Sequence, residues 1–470
     1  MRAFVRFCFC LAAVVAGSAG AQDIVLPEFE RIALDNGAVL ILTQKPDVPM
    51  VSVTAMIRGG AVADPDGLNG LAALFAELLD KGAGDRSAAE FAETVDSSGG
   101  YFSATADLED ITIAGQFLSR DAGLMVELLS DMLVRPALDA DELEKLRERS
   151  INFIRAAKDT NLNALLPVYG RAFLFGQHPY GNPVDGSETT LTRITHADLL
   201  DFYEQQVGAD RLIVSVAGDF DPVAMRAQLE AAFGAWRAAG AALPEFEARQ
   251  AETGRRVLLI DKPGATQTYF WIANIGVSRS FEQRASVDLA NTVFGGRFSS
   301  MLNTALRVES GLTYGAGSRL FRPTRPGSIE IISYTRTDAT VEAIDMAVCV
   351  LGRLRDGGID EEMLKSALNY LLGQFPPTLE TAEQVGGQLA VLEAYGLDVG
   401  YFNNYGSELM SATTETVAAT IDTVYPGTDD VVLVLLGDAE KIREAVTQYG
   451  PVTEMAITEP AFRVPPAAED

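Results

Sequence analysis

The sequence predicts an α+β protein made of two homologous domains, each an antiparallel-type sheet covered on one face by helices. Predicted strands come in groups followed by groups of helices, instead of alternating with them one by one, which favours α+β layer packing. Two segments also recur late in the chain. The apolar strand 210–219, which ends in Gly-Asp before a helix, is repeated at 429–438, and the Lys-Pro segment 42–46 is repeated at 259–263. The offsets are 219 and 217 residues, and two repeats in the same order at nearly one offset indicate a duplicated domain.

The predicted elements of the first domain follow from local patterns. Residues 31–60 are predicted to form two strands, with a hairpin signal at Asp35-Asn36-Gly37 and alternating apolar residues from 51 to 58. Ser87 and Glu90 have the spacing of a capping box, which predicts the start of a helix that stops before Gly99-Gly100. The other predicted elements are a helix over 70–79, strands over 101–106 and 110–117, and two helices that end near 158.

Composition sets the expected limits of the domains. Residues 237–255 are rich in Ala, Gly, Glu and Gln, which is typical of a linker between domains. Three prolines and no periodicity follow Glu459, which favours a disordered tail. We therefore expect a signal peptide at 1–21, a first domain at 22–236, the linker at 237–255, a second domain at 256–455 and a disordered tail at 456–470.

The first residues have the pattern of a cleaved secretory signal. Arg2 and Arg6 precede a short apolar run, and Ala19-Gly20-Ala21 supplies a small-x-small exit. The alternative is a membrane anchor, but the run is shorter than the ~20 residues that a spanning helix needs. No later segment is long and apolar enough for stable membrane insertion. We expect an exported protein in the periplasm, with secretion to the medium as the alternative.

Cysteine usage and charge exclude several classes of protein. Cys8 and Cys10 lie inside the predicted signal, so only Cys349 remains and no intramolecular disulfide can form. The formal net charge of −28 repels phosphates, which argues against nucleic acid and anionic lipid as partners. The same charge favours basic peptides or a basic partner surface, although it also serves plain solubility.

The segment 70–83 carries the most specific motif. It resembles the signature G-L-A-H-x-x-E-H-M-x-F-K-G-T of the insulinase/pitrilysin family of zinc peptidases, with Gly70, Lys81 and Gly82 among the matching flanks. In that family two histidines at i and i+4 hold zinc, the glutamate at i+3 is the general base, and a glutamate of a later helix completes the site. Here the resemblance assigns these four positions to Ala73, Glu77, Ala76 and Phe153 respectively. The sequence therefore predicts no metal site and no cofactor in this chain.

No other residues offer replacement chemistry. The chain has two histidines, His178 and His196, and neither has ligand-like spacing to a second His, Cys or acid, so both are interpreted as structural. A Gly-x-Ser-x-Gly elbow and a Walker loop are absent from the sequence. A self-sufficient hydrolase with rebuilt chemistry is therefore the weakest of the functional hypotheses.

A second phrase of the same family is retained in the second domain. Residues 294–314 resemble L-G-G-G-x-S-S-R-L-x-x-x-L-R-E-x-x-G-L-A-Y, with Val308 in place of the usual glutamate. The resemblance implies that Arg307 and Tyr314 grip substrate and support the tetrahedral intermediate, since a guanidinium and a phenol can both donate to an oxyanion. The alternative is that Arg307 caps a helix and Tyr314 fills the core.

The segment 99–105 resembles the G-G-x-x-N-A-x-T edge strand of the same family. In active members this strand pairs with an extended substrate. Ser103 replaces the asparagine, so the strand could equally be a remnant without that role.

The resemblance covers about 26–450 and implies a mitochondrial-processing-peptidase-like fold. Some members of the family work as pairs, in which one chain carries zinc and the other supplies the Arg-Tyr face of a chamber for unfolded peptides. The first hypothesis is therefore the non-catalytic subunit of a periplasmic heterodimeric zinc peptidase, inactive alone, whose catalytic partner holds the zinc. The second is a structural or scaffold protein derived from the same fold.

Overall fold

The computed structural model describes residues 25–464, so the predicted signal peptide at 1–21 lies outside the described residues. The first domain contains a six-stranded sheet and a small two-stranded hairpin. Its strands are β1 (Glu30–Ala33), β2 (Val39–Gln44), β3 (Met50–Arg58), β4 (Gly82–Ala83), β5 (Arg86–Ser87), β6 (Tyr101–Ala106), β7 (Asp110–Leu118) and β8 (Leu212–Gly218). Its helices are α1 (Leu71–Leu78), α2 (Ala88–Ser98), α3 (Ala122–Val134), α4 (Ala140–Thr160), α5 (Leu162–Phe175), α6 (Glu188–Arg193), α7 (His196–Gln206) and α8 (Pro222–Phe233).

The second domain contains another six-stranded sheet. Its strands are β9 (Arg256–Asp261), β10 (Gln267–Ile275), β11 (Ala316–Phe321), β12 (Ser328–Arg336), β13 (Val432–Gly437) and β14 (Val452–Ala456). Its helices are α9 (Arg284–Phe294), α10 (Met301–Asn303), α11 (Thr340–Arg355), α12 (Glu361–Gln374), α13 (Ala382–Ala394), α14 (Gly400–Asn403), α15 (Tyr405–Ser411), α16 (Thr414–Val424) and α17 (Ala439–Val446).

Five strands of each sheet follow equivalent orders, which confirms the predicted duplication. The edge strands differ, since β1 pairs antiparallel with β2 whereas β14 pairs parallel with β9. The first runs β1-β2-β8-β3-β7-β6, and the second, taken from its other edge, runs β14-β9-β13-β10-β12-β11. In each sheet the repeated strand, β8 or β13, pairs in parallel with one neighbour and antiparallel with the other. The sheets are therefore mixed rather than purely antiparallel, because a strand that returns after a long helical excursion can join in either direction.

Local patterns placed most elements of the first domain correctly. The capping box forms as predicted, with the Ser87 hydroxyl accepting from the Glu90 amide and the Glu90 carboxylate accepting from the Ser87 amide. Residues 31–60 contain three strands rather than the two predicted, since the segment on each side of the Asp35-Asn36-Gly37 turn forms its own strand before β3.

The second face of each sheet is covered by a helix of the other domain, which the expectation of helices on one face did not include. Ser52, Thr54 and Met56 of β3 alternate with the core residues, and all three are also buried. Helix α13 of the second domain packs on this face, where Val385 and Leu389 join a core with Met56. Reciprocally, α5 of the first domain packs on β10 and β13 of the second sheet. Each domain therefore supplies a helix to the other domain's sheet.

The segment after β14 differs from the sequence-based expectation. Residues 456–464, expected to begin a disordered tail, are ordered, and Ile457 and Phe462 are buried. The Phe462 ring meets the Tyr169 ring edge-on, with centroids 4.9 Å apart. An apolar partner on α5 therefore outweighs the turn-forming composition of this segment. Residues 237–255 contain no helix or strand and run between the two domains.

Candidate functional site

Helix α1, which carries the zinc-motif positions, is held at its start by a buried carboxylate. Both oxygens of Asp64 accept backbone hydrogen bonds, from the Gly70 and Ala72 amides, each at 2.8 Å. These bonds satisfy donors that the first turn of a helix leaves unpaired. Burial raises the pKa of Asp64 to about 7, partly offset by the amides that it accepts from.

The structure brings three of the four degenerate zinc positions to one pocket. Ala73 and Glu77 of α1 face Phe153 of α4 across a cavity of about 280 Å³. Ala76 points instead into the core and is fully buried. Three of the four positions that the resemblance assigns to zinc therefore lie together, without the histidines and glutamate that would bind it.

An ion pair occupies the place where a metal would need its ligands. Arg149, one helical turn before Phe153 on α4, donates to the carboxylate of Glu77. Zinc requires three or four nitrogen, sulfur or carboxylate ligands, whereas this pocket offers two carboxylates, Asp185 and Glu77, of which Glu77 is paired with Arg149. Within residues 25–464 no group of three or more His, Cys, Asp or Glu residues could hold a metal ion. The residues present do not fit zinc.

Sequence reasoning did not single out Arg149. The signal was available, because Arg149 and Phe153 are four residues apart and so lie on the same face of a helix. The sequence pattern did not indicate that Glu77 of α1 would pair with a basic residue on that face of α4.

A second cavity adjoins the first and shares Phe153, Ile154 and Asp185 with it. This cavity, of about 260 Å³, lies between α4 and α5 of the first domain and Phe321 of the second, and Phe462 closes one side. We call it the interdomain cleft. Phe153 is 69% exposed between the two cavities, an unusual position for a large apolar side chain.

Arg307 and Tyr314 are both exposed on the second domain, and neither lines the Ala73 pocket. The segments that carry them are adjacent, since the Leu312 and Thr313 amides donate to the Leu306 carbonyl. Tyr314 is 80% exposed, so the alternative that it fills the core is wrong. Arg307 lies in a π-helical turn, Thr304–Glu309, and its guanidinium stacks over the ring of Phe298 at 4.8 Å. Phe298 and Val308 are themselves exposed, which makes this an apolar patch with one cation and one phenol. We call it the Arg-Tyr patch.

The segment resembling the substrate-pairing strand is an edge strand. Among the residues that the structure describes, strand β6 pairs only with β7 and ends the first sheet. The hydroxyl of Tyr101 donates to Glu383 of α13 at 2.9 Å, and burial, followed by this bond, raises the pKa of Tyr101 to about 12. Ser103 is exposed on the strand.

Both histidines make backbone contacts. His178 Nε2 lies 2.9 Å from the Glu247 carbonyl oxygen and its Nδ1 accepts from the Tyr180 amide, which together place the proton on Nε2. Burial lowers the pKa of His178. His196 Nε2 lies 2.7 Å from the Leu138 carbonyl oxygen. These contacts hold loops to helices.

The fold and the degenerate site together define a protein of two peptidase-like domains. Family models match both halves: the insulinase (peptidase family M16) model matches residues 39–187, and the peptidase M16 inactive domain model matches residues 193–371. The chain belongs to the insulinase family.

Individual proteins agree with this assignment. An uncharacterized zinc protease of Mycobacterium leprae is 26% identical over 344 residues, which cover 73% of this chain and 77% of that protein. The crystal structure of a peptidase M16 inactive domain from Pseudomonas fluorescens matches with a TM-score of 0.80 and 22% identity, over 87% of this chain and 98% of that one. The periplasmic protease PqqL of Escherichia coli matches with a TM-score of 0.74 and 13% identity, over 93% of this chain but 49% of its own. No helix of residues 25–464 has the length and apolar character to cross a membrane.

Proposed function

We propose that this chain is the non-catalytic subunit of a periplasmic heterodimeric zinc peptidase, and that it presents Arg307 and Tyr314 to the active site of a zinc-bearing family member. The observation that carries the proposal is the contrast between two positions in one chain. The zinc positions hold Ala73, Ala76 and Phe153 with an Arg149–Glu77 ion pair, whereas the Arg-Tyr patch keeps both its donors and exposes them.

The composition of the Arg-Tyr patch supports a partner surface. Phe298 and Val308 leave apolar area in water, and covering such area is favourable by roughly 25 cal/mol per Å². Stacking on Phe298 restricts the Arg307 guanidinium, so less freedom is lost when it binds. An exposed cation and phenol, held on an apolar base, suit a surface that closes over a peptide and donates to a developing oxyanion.

The proposed periplasmic location of the heterodimer rests on the predicted signal peptide. A basic start, a short apolar run and a small-x-small exit direct export. The PqqL protease, which shares this fold, is described as periplasmic. Unfolded peptides are the proposed substrates, and the zinc belongs to the partner.

The test uses the 1:1 complex of this chain with a zinc-bearing family member. Tyr314→Phe removes one oxyanion donor and should lower kcat by about 100- to 1,000-fold, the usual cost of losing such a donor. Arg307→Ala should lower kcat/KM further by weakening peptide binding. Because both side chains are exposed, neither change should alter the melting temperature of the subunit or the assembly of the complex.

Two substitutions serve as controls. Tyr334→Phe removes a half-buried phenol stacked on Tyr269, and Arg336→Ala removes an exposed arginine paired with Asp338. Both should leave turnover unchanged.

The chain alone should bind no stoichiometric zinc and cleave no peptide. Normal turnover in both Tyr314→Phe and Arg307→Ala complexes would leave the scaffold hypothesis standing instead.

A further inference from the structure

The interdomain cleft has the size and lining of a side-chain pocket. Its walls are mostly apolar and include Leu165 and Val168 of α5 and Phe321 of the second domain. An engineered cavity of about 150 Å³ with apolar walls is large enough to bind benzene. At about 260 Å³, the cleft has room for a large aliphatic or aromatic side chain.

The charges around the cleft do not cancel. Arg171 lines it but is committed to Glu330, at 3.0 Å, and stacks on the Phe321 ring at 4.1 Å. Asp107 and Asp185 also line it, and neither has a basic partner within 4 Å among the described residues. The neighbouring pocket contributes no free cation, because Arg149 is paired with Glu77. The rim therefore carries two carboxylates without a basic partner, and one further cation lies nearby, the Arg463 guanidinium, which donates to the lining residue Asn182.

The environment of Asp185 on this rim is acidic. Burial in the concave surface, and then the charges of Glu77 and Asp107, raise the pKa of Asp185. A cation placed between Asp107 and Asp185 would reverse this effect, because an opposite charge favours the ionised form.

We propose that the interdomain cleft binds peptides in which a large apolar side chain stands next to a lysine or arginine. The apolar side chain enters between α5 and Phe321, where it also covers the exposed ring of Phe153. The neighbouring cation lies between Asp107 and Asp185. The net charge of the chain, −28, attracts such basic segments from a distance. The inference rests on the proposed function only in taking peptides as the ligand, since the cleft belongs to this chain alone.

The experiment measures fluorescence polarisation of labelled peptides with the isolated full chain. The probe is Ala-Ala-Phe-Lys-Ala-Ala with blocked ends, compared with peptides in which Phe is replaced by Ala or Lys by Glu. We expect the probe to bind and each altered peptide to bind at least tenfold more weakly. Equal binding of all three peptides, or no binding of the probe, would overturn the proposal.

Two matched pairs of variants locate the site. Ala164→Phe fills the cleft, whereas Asn163→Phe adds the same ring to the adjacent exposed position of α5, which does not line the cleft. We expect a tenfold or greater loss of affinity only for Ala164→Phe. Asp185→Asn should weaken the lysine probe about fivefold and leave the Lys-to-Glu peptide no worse, whereas Asp201→Asn, at an exposed position of α7, should change nothing.

The outcomes separate this inference from the proposed function. If Ala164→Phe binds the probe normally while Tyr314→Phe slows the complex, the cleft inference is wrong and the proposed function stands. If the cleft variants lose peptide affinity while Tyr314→Phe leaves turnover of the complex unchanged, the cleft inference is supported and the proposed catalytic role of this chain is wrong. A thermal melt of each variant checks that the fold is retained, and Asp185→Asn decides the matter if Ala164→Phe unfolds.

Discussion

At the scale of single residues, α1 carries the positions of the zinc motif without the histidines that the motif requires. Ala73 and Ala76 occupy the positions of the first histidine and the general-base glutamate. Glu77 occupies the position of the second histidine, and its carboxylate is paired with Arg149. What holds the helix in place is Asp64, whose carboxylate accepts the Gly70 and Ala72 amides away from solvent. A buried group with two hydrogen bonds cannot be removed without leaving its partners unsatisfied.

Asp64→Ala should therefore lower the free energy of unfolding by about 1–3 kcal/mol, the cost of leaving buried donors unpaired. The effect should depend on pH. Because the folded-state pKa of Asp64 is raised to about 7, its contribution is fully present below the ordinary aspartate pKa and is lost as the pH rises through 7. The gap between the native chain and the variant should be larger at pH 5 than at pH 8 in urea unfolding. Asp96→Ala, on the exposed side of α2, is the control, and a gap that stays constant with pH would contradict the prediction.

At the scale of elements, α5 is unusual because it belongs to one domain and packs on the sheet of the other. Its contact with β10 depends on the absence of a side chain at Gly170. A Cβ added there would lie 2.6 Å from the indole of Trp271, which is fully buried. The close approach of helix and sheet therefore requires glycine at this position for reasons of space, not of backbone angle.

Gly170→Ala should destabilise the chain by about 1–3 kcal/mol through overpacking, less the gain of about 1 kcal/mol that alanine brings to a helix. Gly373→Ala is the matched control, since Gly373 lies in α12 and a Cβ there meets nothing within 4 Å. That substitution should leave the melting temperature unchanged or raise it. Thermal melts of the two variants make the comparison, and equal melting temperatures would show that the Trp271 contact yields without cost.

At the scale of the whole molecule, the exchange of helices α5 and α13 joins the two domains through their sheets. A buried ion pair lies in the same interface. Glu330 of β12 is fully buried and accepts from Arg171 of α5 at 3.0 Å and from the Ser328 hydroxyl at 2.8 Å. Because Glu330 depends on a residue of the other domain for its counter-charge, its environment is complete only when the domains are docked.

Arg171→Met should lower the free energy of unfolding by about 3 kcal/mol, the low end for a broken buried pair, since the Arg171 side chain keeps a third of its exposure. Adding Glu330→Gln should restore most of the loss, because the second change removes the stranded charge. Arg120→Met, at an exposed arginine of the first domain, serves as the control. Urea unfolding of the single and double variants gives the coupling free energy, and simple additivity of the two changes would contradict a shared ion pair.

The sequence by itself determined the α+β class, the duplication, and the identity of the residues at the erased zinc site. These features are encoded within a few residues, by capping boxes, hairpin turns, apolar periodicity and a contiguous motif. The family resemblance also predicted that Ala73, Glu77 and Phe153 lie together, because in that family the corresponding residues of the two helices bind one zinc ion.

Only the tertiary structure decided which surfaces are covered. The second face of β3 is buried by α13, more than 300 residues later in the chain, and Phe462 is ordered by Tyr169, at a similar separation. The Arg149–Glu77 pair and the interdomain cleft arise in the same way. An alternating pattern predicts a strand with one exposed face. The pattern carries no information about a helix of another domain that packs on that face. Burial is a property of pairs of distant segments, and the sequence pattern of one segment does not contain the other.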